Sequence, residues 1–281
     1  MKKTERIHSF FTIIRPLNFL IVFASVIISG WICTTARFPV GVILLAAFSA
    51  SLTAAAGNVI NDIFDFESDK INHPERVLPS GKLNLRQVFI LYYVLICTSL
   101  ILSYLVNTIC FAIVIISNVL LFFYSYKFKS IVLFGNFIVA FLTGLVFTYG
   151  GYAVGNVHFA IVPAAFAFLI NFIREIVKDM HDLEGDKLDG IKTFPQVFGL
   201  SKTKAFVFLL TFVLILSSFI PVLNNFYNIR YLIIISVLLN PILLFFIWSI
   251  YKNHSRKNLN KLSFLLKLNM IIGLTAIYLG K

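Results

Sequence analysis

Charge is what this sequence lacks. Asp, Glu, Lys and Arg make up 13% of its 281 residues, against about 25% in a soluble domain. Hydrophobic residues reach 59% and the mean hydropathy is +0.91, more apolar matter than one soluble core can hide. A freely soluble enzyme and a disordered chain are excluded. Cysteine is scarce too: Cys33, Cys97 and Cys110 fall in apolar stretches, odd in number and without a CxxC pair. That excludes a secreted disulfide scaffold and leaves small buried hydrophobes. The GxSxG, HExxH and P-loop signatures are absent, which removes the hydrolases and nucleotide-binding enzymes that depend on them.

What the chain has is long apolar runs. A membrane span needs about 20 mostly apolar residues, and nine stretches qualify, at 17–35, 40–60, 87–106, 108–126, 131–152, 157–174, 205–223, 230–251 and 262–279. Met1–Arg15 is basic, and the run behind it lacks a small-residue cleavage site, so it reads as a span and not as a cleavable signal. With the N-terminus in the cytoplasm, only Arg37, Arg230 and Lys281 of the 24 basic residues fall outside. That asymmetry orients the chain N-in and C-out. The expected fold is an all-α, polytopic bundle of nine transmembrane helices, with 1–281 as a single membrane domain in the cytoplasmic membrane. The formal charge of +12 then reflects topology and attraction to anionic lipid heads. A nucleic-acid partner is not expected, since no basic soluble domain exists to bind one.

The acids are rarer than the bases and are placed unevenly. Of twelve, one is Glu5; five lie between Asp62 and Glu75, and six between Glu175 and Asp189. Both windows adjoin a cytoplasmic span end. They also resemble copies: Asp65 to Asp182, Asp69 to Asp186 and Asn84 to Ser201 are each 117 residues apart, and Pro79–Pro195 and Gly81–Gly199 depart from that offset by one. Four spans separate them, which makes the repeat parallel.

Asn61, Asp65 and Asp69 follow an i, i+4, i+8 spacing, one face of a continuing helix. Asp179, Asp182 and Asp186 follow i, i+3, i+7, with Gly185 a nearby helix stop. Stacked carboxylates repel one another, so a cation is expected among them. Oxygen ligands suit a hard divalent ion, and Mg²⁺ commonly combines one or two carboxylates with substrate phosphates. Glu67, Glu75, Glu184 and Asp189 fall off these faces and read as surface acids. The alternative, a solvated helix end, accounts poorly for two such windows on one side of the membrane. Arg76, Lys82, Lys127, Lys129, Arg174, Lys178 and Lys192 lie close in sequence, and Arg and Lys beside a metal are what a diphosphate requires. Of forty-four aromatics interfacial belts and lipid-facing Phe explain most; a subset lining a chamber would hold an isoprenoid chain and stabilise an allylic cation. Ionisation of a lipid diphosphate is the reading these parts share. A secondary transporter is the non-enzyme rival, but its ionisable groups belong near the midplane. Gly151-x-x-x-Gly155 reads as close helix packing.

Asn61-Asp62-x-x-Asp65-x-x-x-Asp69, followed by Pro79-Ser80-Gly81, resembles the first motif of the UbiA superfamily of intramembrane prenyltransferases. Asp182, Asp186, Gly190, Thr193 and Pro195 match its second motif, and Arg15-Pro16-Leu17-Asn18 its start. The likeness extends over essentially the whole chain. It implies that Asp65, Asp69, Asp182 and Asp186 hold two Mg²⁺ ions with Asn61 as helper. Arg76, Lys178 and either Lys127 or Lys129 would contact the diphosphate, and Arg174 belongs to the same basic set. The run from Arg174 to Asp186 is most similar to members that move a geranylgeranyl group onto geranylgeranylglyceryl phosphate. An aromatic or quinone-precursor acceptor stays open. Phe194, His181 and Arg76-Val77-Leu78-Pro79 depart from the usual pattern.

Overall fold

The computed structural model describes residues 3–35, 37–183 and 192–281. The described residues form helices and no strands: α1 Lys3–Ile13, α2 Pro16–Cys33, α3 Val40–Phe64, α4 Phe66–Asn72, α5 Leu85–Val106, α6 Thr108–Tyr126, α7 Phe134–Ala153 and α8 Ile161–His181, then α9 Phe194–Ser217, α10 Ile220–Leu223, α11 Ile229–Ile234, α12 Asn240–Lys252 and α13 Arg256–Gly280. A π-helical stretch, Ile235–Leu239, joins α11 to α12. Among the described residues nine helical segments are long and apolar enough to cross a membrane, as the sequence predicts.

Their ends differ from the expectation. The second span runs on to Phe64, the sixth to His181, the seventh starts at Phe194 and the ninth at Arg256. Polar residues close an apolar run but not a helix, because Lys, Arg and Glu are good helix formers.

The helices fall into two compact units. The first comprises 1–128 and 146–158. Its centre is α3, which packs on α2, α5 and α6 through small residues: Ala46, Ala47, Ser49, Ala55 and Ala56 are buried. A Cβ added at Gly57 would lie 2.8 Å from Leu121 Cδ2, and one at Gly150 would lie 2.8 Å from both Ser29 Cβ and the Val26 carbonyl. Gly150 is therefore a close-packing glycine of α7, as is Gly144, where a Cβ would lie 2.8 Å from the Ala164 carbonyl. Gly155 has another task, which corrects the packing reading of Gly151-x-x-x-Gly155. At φ +76 it ends the helix, with Asn156 N–H on the Gly151 carbonyl (3.0 Å) and Gly155 N–H on Tyr152 (3.2 Å), a Schellman closure.

The second unit comprises 129–145 and 159–281. Here α8 packs on α9 and α13 through Ile173, Ile176, Val177, Val207 and Leu266, and Leu243 and Phe246 of α12 join the same core. Outer faces are apolar: Ile90, Val94, Ile101 and Leu105 on α5 are each more than half exposed, a side suited to lipid.

Hydroxyls inside the spans mostly bond back to their own helix. Ser25, Thr53, Thr143, Thr203, Thr211 and Thr275 each donate to the carbonyl four residues earlier. A smaller set crosses between helices: Ser29 to Phe147, Ser49 to Ser99, Asn107 to Tyr152, and Tyr231 to Ser218.

The suspected repeat has a backbone counterpart. Asp65 caps the C-terminus of α3 at φ −84, ψ 0, and Asp182 caps α8 at φ −91, ψ 5. Gly81 and Gly199, one residue off that offset, both adopt positive φ, +72 and +81.

Candidate active site

The first window does not form the single continuing helix expected. It breaks at Asp65, although Asp65, Asp69 and His73 each still bond to the carbonyl four residues earlier. The helix macrodipole explains the break. Carboxylates are unfavourable at a C-terminus and favourable at an N-terminus, and restarting at Phe66 puts Glu67 and Asp69 in the first turn of α4. The Asn61–Asp65 contact survives, Asn61 Nδ2 donating to Asp65 Oδ2 at 2.7 Å. Asp69 is buried, and both its oxygens accept from Arg76 Nη1 at 2.7 Å. Burial opposes the Arg76 charge, but its hydrogen bond to Asp69 and the fields of Asp69, Asp62 and Asp65 outweigh it and raise the Arg76 pKa above the ordinary value. Glu67 and Glu75 are exposed, paired with Lys70 and His73, as surface acids should be.

Asp62 is the carboxylate the sequence reading undervalued. Its side chain is 10% exposed and accepts from Arg15 Nη2 at 2.7 Å. Arg15 itself sits in the left-handed region at φ 55, ψ 75, at the joint between α1 and α2. The opening Arg-Pro was a signal, but without a partner attached to it.

Rings crowd the same helix end: Phe64 lies 5.6 Å from Phe122 and 5.8 Å from Tyr126, centre to centre. Lys127 closes α6 and Lys129 lies in the following one-turn helix Phe128–Ser130, two residues apart, so neither is favoured over the other.

In the second window α8 ends at His181, so Asp179 is helical and Asp182 is the cap. Asp186, with Gly185, Glu184, Asp189 and Gly190, lies outside the described residues. The last turn carries Lys178 and His181, and the lysine is a cation that suits a C-terminus. His181 Nδ1 and Asp182 Oδ1 are 2.5 Å apart, and Arg256 Nε donates to the His181 carbonyl. Asp179 accepts from Asn136 Nδ2 at 2.9 Å.

Glu175 is the other residue missed. It is buried, with Oε1 2.9 Å from Arg174 Nη1 and Oε2 2.8 Å from Lys178 Nζ. An acid at i+1 from one cation and i−3 from another on a helical pattern was a readable signal. Arg174 Nη1 also reaches Asn171 Oδ1 at 3.5 Å, and Asn171 donates to Thr143 Oγ1 at 3.1 Å.

Among the described residues no three His, Cys, Asp or Glu side chains gather as a metal cluster. The donor set still suits one kind of ion. In the first unit Asp65, beside Asn61, and Asp69 supply oxygen at helix ends, in the second Asp182 does so, and oxygen is the ligand of a hard divalent cation.

Among the described residues, nine apolar spans with buried carboxylates and their cation partners at helix ends define an integral membrane protein. The chain belongs to the UbiA prenyltransferase family, whose model matches residues 20–271, and it transfers prenyl groups. Digeranylgeranylglyceryl phosphate synthase of Methanococcus aeolicus is 36% identical over 279 residues, covering 98% of each chain. A solved structure of digeranylgeranylglyceryl phosphate synthase is 33% identical with a TM-score of 0.78, covering 98% of each chain. A UbiA homologue from Archaeoglobus fulgidus, solved bound to DMAPP and Mg²⁺, shares the fold at a TM-score of 0.68 and 19% identity, over 96% of this chain and 99% of that one.

Proposed function

We propose that this enzyme transfers a geranylgeranyl group from its diphosphate to the free hydroxyl of geranylgeranylglyceryl phosphate, using residues 1–281 as one domain. The observation that carries the acceptor is the charged run on α8, in which Arg174 and Lys178 flank the buried Glu175 ahead of Asp182. Full-length similarity to synthases of that name supports it.

In this reading Asp65, Asp69, Asp182 and Asp186 hold divalent cations, two Mg²⁺ ions, with Asn61 orienting Asp65. Bound there, the metal neutralises the diphosphate and makes it a leaving group. Arg76 spends one nitrogen on Asp69, which leaves the rest of its fork for phosphate oxygens. Lys178, with Lys127 or Lys129, adds point charges. The bond between the prenyl C1 and the diphosphate oxygen breaks heterolytically, and the apolar surroundings keep water from the allylic cation. Rings such as Phe64, Phe122 and Tyr126 present π faces to such a cation. The acceptor hydroxyl then forms the ether bond, and its proton passes to the departing diphosphate. The chemistry takes place at the cytoplasmic face, which follows from the basic asymmetry of the loops.

Lipid product analysis tests the proposal. Purified protein with Mg²⁺ and geranylgeranyl diphosphate is given geranylgeranylglyceryl phosphate, hydroxybenzoate or dihydroxynaphthoate separately, and products are identified by mass. The digeranylgeranyl ether phosphate is expected. Prenylated aromatics, with none of the ether, would overturn the acceptor and leave the family standing.

A further inference from the structure

Arg174 lies inside a span, where a cation is costly unless a partner offsets it. Its partner is Glu175, but Glu175 is shared with Lys178. Glu175 is thus divided between two cations, while the next acid, Asp179, accepts from Asn136, so the Arg174 guanidinium holds only part of one carboxylate.

The bonding of the guanidinium narrows where an anion would sit. Nη1 is committed to Glu175 at 2.9 Å and leans on Asn171 at 3.5 Å. Asn171 is itself buried and anchored to Thr143 on α7, so the plane of the fork is fixed from two sides. Nε is buried and has no hydrogen-bond partner among the described residues. A buried donor left without an acceptor is expensive, and the edge that carries Nε is one of the two an arginine uses for side-on contact with a phosphate.

Distance along the helix separates this anion from the leaving group. Asp182 lies eight residues after Arg174, about 12 Å of helical rise, whereas Lys178 stands halfway. Helical side chains also tilt toward the N-terminus, which carries Arg174 further from Asp182. Lys178 therefore serves the diphosphate end, and Arg174 faces something deeper in the span. One turn further in, Phe168 and Phe172 stack at 5.7 Å and Phe172 meets Phe206 edge-on at 6.4 Å, an apolar wall suited to an isoprenoid chain.

We propose that Arg174, its fork fixed by Asn171 and Glu175, holds the phosphate of the acceptor in a subsite separate from the one that takes the leaving diphosphate. This subsite rests on the glyceryl phosphate acceptor proposed above. It also gives that acceptor its selectivity: a phosphate satisfies the buried Nε, and an alcohol without one leaves it unmet.

The test compares geranylgeranylglyceryl phosphate with its dephosphorylated alcohol in the wild type, Arg174→Gln and Arg174→Lys. Arg174→Gln should raise the acceptor KM about 30-fold, the loss of a charge-assisted contact. The preference for the phosphorylated acceptor should shrink by the same factor, while the KM for geranylgeranyl diphosphate stays within about twofold. Arg174→Lys, which keeps charge but not the fork, should fall between. As a check independent of folding, glycerol phosphate should inhibit the wild type competitively with the acceptor and not with the donor. A rise in donor KM, equal losses on both acceptors, or competition against the donor would overturn the subsite. A wild type that prenylates only a phosphate-free aromatic would instead sink the acceptor itself, an outcome visible before any variant is made.

Discussion

Removing either half of the Arg15–Asp62 pair should damage the fold, and unequally. The asymmetry follows from exposure: the Arg15 side chain is 39% exposed and Asp62 10%. In Arg15→Gln the carboxylate loses its cation where water barely reaches. Stranding one member of a fully buried pair costs about 3–5 kcal/mol, and the partial exposure of Arg15 brings that to about 2–3 kcal/mol. In Asp62→Asn the amide oxygen still accepts and the guanidinium is hydrated, so the loss is about 0.5–1 kcal/mol. At about 2–4 °C per kcal/mol for a chain of this size, the melting points should fall by about 4–12 °C and 1–4 °C. A third variant separates charge from backbone. Arg15 holds a left-handed conformation that only glycine adopts freely, so Arg15→Gly should recover about 1 kcal/mol relative to Arg15→Gln. Thermal unfolding in detergent, followed by tryptophan fluorescence, measures all three. Adding Asp62→Asn to Arg15→Gln should cost nothing further. A single Asp62→Asn at least as unstable as Arg15→Gln, or strictly additive losses, would refute the reasoning.

Asp65→Asn and Asp182→Asn should each lower turnover with geranylgeranyl diphosphate at least about 100-fold, about 2.7 kcal/mol of transition-state stabilisation; near-normal rates would remove these two as metal ligands. Arg76→Met and Lys178→Met should raise the donor KM without changing the preferred prenyl length, and a changed length preference would place them on the tail instead. Gly150→Leu should abolish stable expression, because its side chain meets the Val26 carbonyl and Ser29. Gly155→Ala should cost only about 1 kcal/mol of left-handed strain, and the reverse order would undo the assignment of their roles. A paired reporter fused after Lys281 should read as external; a cytoplasmic signal would invert the topology.

The number of spans was legible because hydropathy acts over 20 residues and tolerates local error. The ends were not. Arg174 and Lys178 interrupt an apolar run, yet the backbone of α8 continues through them to His181, since main-chain bonds are indifferent to side-chain polarity. The carboxylate windows were legible as spacing, whereas the break at Asp65 was not, because helical spacing assumes the helix it is used to infer. Partner choice was the least accessible. Arg15 and Asp62 lie 47 residues apart, Asn136 and Asp179 43, and no local pattern encodes which residues a folded chain brings together. Gly151 and Gly155 show the opposite error, a familiar spacing whose second glycine serves the main chain.

The hydroxyls that bond back within their own helices bear on how the protein is made. A serine or threonine satisfied four residues away asks nothing of a neighbour, so each span leaves the ribosome nearly as greasy as its hydropathy suggests. The charged stretch of α8 follows the same logic, because Arg174, Glu175 and Lys178 compensate one another on a single helix. It can enter the bilayer before α7 is in place. What must wait for assembly is the short set of bonds between helices, such as Ser29 to Phe147, Asn107 to Tyr152 and Asn171 to Thr143. Insertion and docking are thereby separated in time, and a defect in one of those bridging residues should appear as a fully inserted protein that fails to mature, not as one rejected at the translocon.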